Sequence, residues 1–202
     1  MKPLDHLVVV GVGLIGGSFA LALREAGAVR RITGVGRRRE TLEEARRLGL
    51  IDDFADGYAC VREADLVMLA MPVGQTSAVL EAMAPHLGER TIVTDAGSTK
   101  RDVIAAARAS LGSRFSRFVP GHPIAGTEQS GPAAAFATLY RDRRVVLTPV
   151  EETDAGCVAR VREAWEACGA KVSNLPPERH DRVLATVSHL PHVLAFALVD
   201  QV

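Results

Sequence analysis

The sequence predicts an α/β fold: a doubly wound, mainly parallel sheet followed by the start of a helical unit. Three observations predict it. Short β-branched runs alternate with helical segments. A Gly-x-Gly-x-x-Gly motif joins the first run to the first helix. Near the carboxyl end the alternation gives way to one apolar stripe at helical spacing.

The elements follow in order. Residues 7–10 form an uninterrupted apolar run, as expected of a strand covered on both faces. Residues 14–26 read as a helix ended by Gly27, and 31–35 as a second strand. The charged, Ala/Leu-containing segment 39–48 is a helix stopped by Gly49. A third strand, 65–70, is closed by Pro72; 75–86 is helical; 91–94 is a fourth strand and 100–111 a helix. Residues 121–131, rich in Gly, Pro and polar side chains, read as a long functional loop. Residues 144–147 are a strand, 153–168 a helix with Thr153 as N-cap, and 171–174 a short strand. From Pro177 a helix carries Val183, Val187, Leu190, Leu194, Ala197 and Leu198 on one stripe, with a kink expected at Pro191. The stripe needs a partner surface, from a continuing chain or a second subunit, and continuation is the expectation. The domains are placed at 1–174 and 175–202.

Composition narrows the function. The chain has 202 residues, 24 Lys+Arg and 24 Asp+Glu, so a net charge of zero offers no general attraction to nucleic acid or anionic membrane. Residues 7–23 carry no charge, but Gly11, Gly13, Gly16 and Gly17 make a strand, turn and helix a better reading than a membrane span. The three cysteines (Cys60, Cys157, Cys168) are scattered and odd in number, which suits a reducing, cytoplasmic setting rather than a disulfide framework.

The glycine motif runs Gly11-Val12-Gly13-Leu14-Ile15-Gly16 directly after the first strand. Gly11 permits the tight turn, Gly13 lets a pyrophosphate approach the backbone, and Gly16 lets helix and strand pack closely, the Rossmann-type arrangement. The N–H groups of the helix start, at Leu14 and Ile15, face the phosphates. Pro72, ending the third strand, lies beside the same cofactor. After the second strand an NAD site usually carries an acidic residue. Here Gly36 is followed by Arg37-Arg38-Arg39, and a guanidinium suits a 2′-phosphate. NADP is favoured; NAD stays open.

Three polar clusters complete the pattern. They are Asp95-Ala96-Gly97-Ser98-Thr99-Lys100, then Gly121-His122-Pro123 through Gly126-Thr127-Glu128, then His180-Asp181 with Ser188-His189-Leu190-Pro191-His192. The last contains His-x-x-His, but no Cys or carboxylate stands at ligand spacing, so no metal is expected. In this order, after the glycine motif, the clusters resemble the prephenate/arogenate (cyclohexadienyl) dehydrogenase family, from about Leu7 to the end.

The resemblance implies NAD(P)-dependent oxidative decarboxylation of prephenate or arogenate in tyrosine biosynthesis, and a homodimer formed through a C-terminal helical dimerisation domain. On these positions it implies His122 as the base, with Ser98 bonding the substrate hydroxyl or the imidazole. Ser188, His189, His192, Thr127 and Glu128 fall to the substrate, and Asp95 and Lys100 to the cofactor, although Lys100 could instead pair with Asp95. Asp181 could orient a histidine. Family members supply a further arginine from the helical domain, beyond where this chain ends. Two rivals remain at this stage: a 3-hydroxyacid-type dehydrogenase of similar build, and a non-catalytic dinucleotide-binding regulatory module.

Overall fold

The computed structural model describes residues 2–199, apart from the side chains of residues 188–190, 192–194 and 198. In chain order come β1 (Leu4–Val10), α1 (Leu14–Glu25), β2 (Val29–Val35), α2 (Arg39–Arg47), β3 (Asp53–Phe54) and β4 (Leu66–Leu69). Then follow α3 (Thr76–Met83), β5 (Ile92–Asp95), α4 (Arg101–Leu111), β6 (Phe118–Val119) and β7 (Gly121–Pro123). The chain closes with β8 (Arg144–Leu147), α5 (Ala155–Ala167), β9 (Lys171–Asn174), α6 (Pro177–Leu184), a π turn (Ala185–His189) and α7 (Leu190–Val199).

The first six strands form one parallel sheet in the order β3-β2-β1-β4-β5-β6, the doubly wound order expected of a dinucleotide fold. The direction of winding reverses between β1 and β4. Successive residues point to opposite faces of a strand, and both faces here are covered. Leu7 and Val9 enter a core with Phe19, Leu23, Tyr140 and Trp165; Val8 and Val10 enter another with Leu80, Met83, Ile104 and Phe118. Leu66 and Met68 divide from Val67 and Leu69 in the same way. That division explains why these strands read as unbroken apolar runs rather than alternating ones.

A second sheet, β7-β8-β9, lies beyond the first, with β7 antiparallel to β8 and β8 parallel to β9. Its first strand revises the sequence reading. Residues 121–123 are not loop: His122 pairs with Val146 and Pro123 with Val145. Three residues with Gly and Pro at their ends carry no strand signal, and tertiary pairing supplies it. Two-residue strands β3 and β6 are likewise too short to show a period.

The cap of α5 also differs. Asp154, not Thr153, is the N-cap: its carboxylate accepts from Cys157 N at 2.8 Å, while the Thr153 hydroxyl accepts from Val150 N at 3.1 Å. The last helix widens into its π turn over Ala185–His189, one turn ahead of Pro191. A proline ring clashes with the carbonyl four residues back, here Val187, and the wider turn relieves it. Val187, Phe196 and Val199 on this stretch are exposed.

Candidate active site

Parallel strands place their carboxyl ends on one edge, and the reversal between β1 and β4 opens a crevice there. Gly11, Arg37, Pro72, Asp95 and Gly121 each follow or end a strand at that edge.

The turn from β1 to α1 fits a dinucleotide. Gly11 has φ +94°, and a Cβ there would lie 2.7 Å from the Ala70 carbonyl oxygen on the neighbouring β4 connection. A Cβ at Gly16 would lie 2.3 Å from the Gly11 carbonyl oxygen and 2.7 Å from Val9 Cγ1. At Gly13 a Cβ would meet nothing within 4 Å, so the space over the helix start is open. No side chain caps α1, and its first turn holds no carboxylate. The amides of Leu14 and Ile15 therefore keep their partial positive charge for an anion.

Arg37 and Arg38 are exposed beyond β2. Arg39 is engaged with Glu43 at 3.0 Å and stacks over Phe54, whereas among the described residues Arg37 and Arg38 form no ion pair. Pro72 is exposed at the end of β4, and Ser98 is exposed between β5 and α4.

Asp95 and Lys100 turn inward. Lys100 is 0% exposed and Asp95 2%. Lys100 Nζ donates to Asp95 Oδ2 at 2.5 Å and to the Gly121 carbonyl at 2.6 Å. Asp95 also accepts from Gly97 N at 2.7 Å and from Gly121 N at 3.1 Å. Burial lowers the Lys100 ammonium from its usual range, against the opposing pull of Asp95 and Asp181. The pair thus clamps β7 to the end of β5. A cofactor contact from either side chain would have to break this buried network.

His122 is carried by β7, at 9% exposure, beside that clamp. Its Nδ1 lies 2.9 Å from His180 Nε2. His180, from α6, is 0% exposed, and its Nδ1 lies 2.7 Å from Asp181 Oδ1. Asp181 in turn accepts from Lys100 N at 2.8 Å and Arg101 N at 3.0 Å. It therefore caps α4 from a helix that lies 81 and 80 residues beyond these two amides in the chain. Burial pushes the Asp181 carboxyl up, but hydrogen bonds from Arg101 N, His180 and Lys100 N outweigh it and hold the group below its ordinary range.

The remaining candidates divide. Thr127 is exposed, and its hydroxyl accepts from Gln129 N at 3.2 Å in a local turn; Glu128 is exposed beside it. The side chains of Ser188, His189 and His192 lie outside the described residues. Tyr140 and Ser18 escaped sequence reasoning. The Tyr140 hydroxyl donates to the Ile15 carbonyl at 2.6 Å, and Ser18 Oγ accepts from Phe136 N at 3.0 Å. Together they fasten the chain after the polar loop onto the first two turns of the cofactor helix. Partners 125 and 118 residues apart leave no local signal. A concavity on the opposite sheet edge, lined by Arg62, Asp65, Gly88, Thr91 and Arg114, touches none of these groups.

With this geometry, comparison is specific. Residues 19–174 match the family model for the prephenate dehydrogenase nucleotide-binding domain, and 176–202 match that for the prephenate dehydrogenase dimerization domain. The chain belongs to the prephenate dehydrogenase family. It is 39% identical over 203 residues to cyclohexadienyl dehydrogenase of Zymomonas mobilis, covering 100% of this chain and 69% of that protein. It is 40% identical to prephenate dehydrogenase of Bacillus subtilis, covering 98% of this chain and 53% of that one. The crystal structure of prephenate dehydrogenase from Aquifex aeolicus with hydroxyphenyl propionate and NAD+ superposes with a TM-score of 0.91 at 41% identity, over 98% of this chain and 68% of that chain. The chain thus spans about half to two thirds of the length of these relatives. Family membership sets aside the hydroxyacid dehydrogenase rival. Among the described residues no helix is long and apolar enough to cross a membrane.

Two buried histidines, His180 in this site and His6 on β1, couple stability to pH. Burial lowers the imidazole of His180 against the pull of Asp181, and burial with Arg31 lowers that of His6. In the unfolded chain both take up a proton near the ordinary value of about 6.5. The folded chain takes them up only at lower pH. Between those values the unfolded state binds more protons, so stability falls as pH drops. The thermal midpoint should therefore hold steady above pH of about 7 and decline on acidification below about 6.5. Replacing both His6 and His180 by Gln should flatten that decline; an unchanged slope would assign it to other groups.

Proposed function

We propose that this chain is the cofactor-binding part, with the start of the helical part, of an NAD(P)-dependent dehydrogenase that converts prephenate or arogenate to an aromatic product with loss of CO₂. The observation that carries the reading is His122, held on β7 against the end of β5, at the same carboxyl edge of the sheet as the open, uncapped start of α1, in a chain of this family. The complex described for the Aquifex aeolicus relative, with NAD+ and an aromatic acid, supports it.

The nicotinamide, when bound, supplies a hydride acceptor. Leu14 and Ile15 amides and the surface over Gly13 would hold its diphosphate. His122 takes the proton from the C4 hydroxyl as the C4 hydride departs, which leaves a dienone. The C–COO⁻ bond then breaks, its electron pair enters the ring, and the protonated His122 returns a proton to the phenolate oxygen. Aromatisation drives the sequence, so most of the protein's contribution is positioning. Ser98, exposed at the same edge, would orient the hydroxyl. Ser188, His189 and His192, with Thr127 and Glu128, would meet the rest of the substrate. We place the domain boundary at residues 174–175, and propose a homodimer through the helical part in the cytoplasm, a setting that suits three free thiols.

The cofactor preference proposed is NADP, with NAD the competitor named by the Aquifex aeolicus complex. Arg37 and Arg38 support it, because Arg39 is already paired with Glu43, whereas among the described residues Arg37 and Arg38 form no ion pair. Arg37→Ala should weaken NADP binding by about 10-fold or more, the scale of a charged hydrogen bond, while NAD changes little. Isothermal titration with each cofactor checks this; equal losses would make the arginines a solvated face.

The test of the whole reading is reduced-nicotinamide absorbance with prephenate and arogenate, each paired with NAD and NADP. It should be run on this chain and on one extended through a complete dimerization domain. Turnover by the extended form identifies substrate and cofactor. Cofactor binding with no turnover in either form would favour the regulatory-module reading.

A further inference from the structure

We infer that His180 and Asp181 are positioning residues that hold His122 as a neutral imidazole with its lone pair on Nε2. The inference rests on the reading of His122 as the base, and extends it to the groups that make that imidazole competent.

Asp181 accepts two backbone N–H groups, from Lys100 and Arg101, at the start of α4. Those donors fix the carboxylate in place and keep it ionised, so it can only accept. His180 Nδ1, 2.7 Å from Asp181 Oδ1, must therefore carry the proton. A neutral imidazole protonated on Nδ1 has its lone pair on Nε2. Burial favours that neutral form of His180, which is 0% exposed. His180 Nε2 then accepts from His122 Nδ1 at 2.9 Å, which leaves the His122 lone pair on Nε2. The two ring nitrogens of an isolated imidazole differ little in proton affinity, so hydrogen-bond partners set the choice, and His180 is such a partner.

The same chain of bonds serves the moment of proton transfer. When His122 gains a proton its charge lies one imidazole away from the Asp181 carboxylate, with Lys100 already neutralised by Asp95. The residues that do this come from α6, on the far side of the proposed domain boundary. The helical part thus completes the hydrogen bonding of the His122 ring on β7 before any substrate arrives.

The test compares His180→Phe with His180→Gln. Phe preserves the ring's bulk and removes the acceptor. Gln replaces the ring but can present Oε1 where Nε2 stood. Two readouts are needed on the full chain with cofactor binding confirmed: ¹⁵N shifts of the His122 ring, and, in the catalytically competent extended form, kcat and KM. We expect one His122 tautomer, protonated on Nδ1, in the unaltered protein and in His180→Gln. In His180→Phe we expect mixed tautomers, kcat lower by roughly 10–100-fold with KM little changed, and an ascending pH limb moved to lower pH, the scale for a partner that orients a working imidazole. Gln should restore most of kcat. A single unchanged tautomer in His180→Phe, or equal losses in Phe and Gln, would overturn the inference. Full turnover in His122→Asn beside a shifted tautomer in His180→Phe would instead remove His122 as the base while leaving the tautomer assignment intact.

Discussion

His122→Asn is expected to lower turnover by about two to four orders of magnitude, the scale for loss of a general base. The substitution is chosen for what it keeps. An asparagine amide nitrogen sits where the imidazole Nδ1 sits, and can still donate to His180 Nε2, now 2.9 Å from Nδ1. The contact between β7 and α6 should therefore survive, and with it the packing of the site. What disappears is the second ring nitrogen, the only atom on this side chain that can take the hydroxyl proton in the proposed step. Cofactor affinity should be nearly unchanged, because the β1–α1 turn is built from Gly11, Gly13 and Gly16 and shares no side chain with β7. Steady-state kinetics with titrated cofactor separates the two effects. Equal turnover in the variant would remove His122 from the chemistry; a matched loss of cofactor binding would make it structural.

The largest expected effect on stability is at Lys100. Lys100→Met leaves the Asp95 carboxylate in a dry site with no counter-charge, where Lys100 and Asp95 side chains are 0% and 3% exposed. Breaking a buried pair on one side typically costs about 3–5 kcal/mol, because the orphaned charge keeps its desolvation penalty. Against a typical domain stability of about 5–15 kcal/mol, that is about a fifth of the total or more. Adding Asp95→Asn removes the charge and should recover about 1 kcal/mol or more, short of full recovery because one backbone N–H at Gly97 or Gly121 loses an acceptor. Urea unfolding of the two singles and the double closes the cycle. Additive losses would show that the pair is not coupled. Gly121 ties this effect to function: its carbonyl and amide both hold to the pair, so loosening the pair loosens the strand that carries His122.

The two predictions draw on different kinds of legibility. Residues 121–128 stand out in the sequence because His, Gly and polar side chains occur where a parallel sheet presents its ligands. Their conformation does not, since β7 exists only by pairing with β8. Lys100 was readable as a charge near the cofactor edge, with pairing to Asp95 as one option. Only the packing of Gly121 over the pair shows it to be a fully buried clamp. The arginines after β2 stood out as three. All three are exposed, but the fold pairs Arg39 with Glu43 on the next helical turn, while among the described residues Arg37 and Arg38 form no ion pair.

What the sequence determined by itself is everything written in short range. Unbroken apolar runs between turn residues set the strands, and a period near 3.6 set the helices. Glycines at fixed offsets set the β1–α1 turn, since Gly11 takes φ +94° and a Cβ at Gly16 would strike the Gly11 carbonyl five residues back. The doubly wound order follows from alternation with helices on both faces. The tertiary structure alone decided which distant polar groups meet. His122 finds His180 58 residues on, and Asp181 reaches the α4 amides 80 and 81 residues back. The physical reason is that a hydrogen bond depends on distance and direction at about 3 Å, which chain connectivity does not constrain beyond a few residues. The packing of α6 against the start of α4 sets both, and so turns two separate motifs into one continuous site.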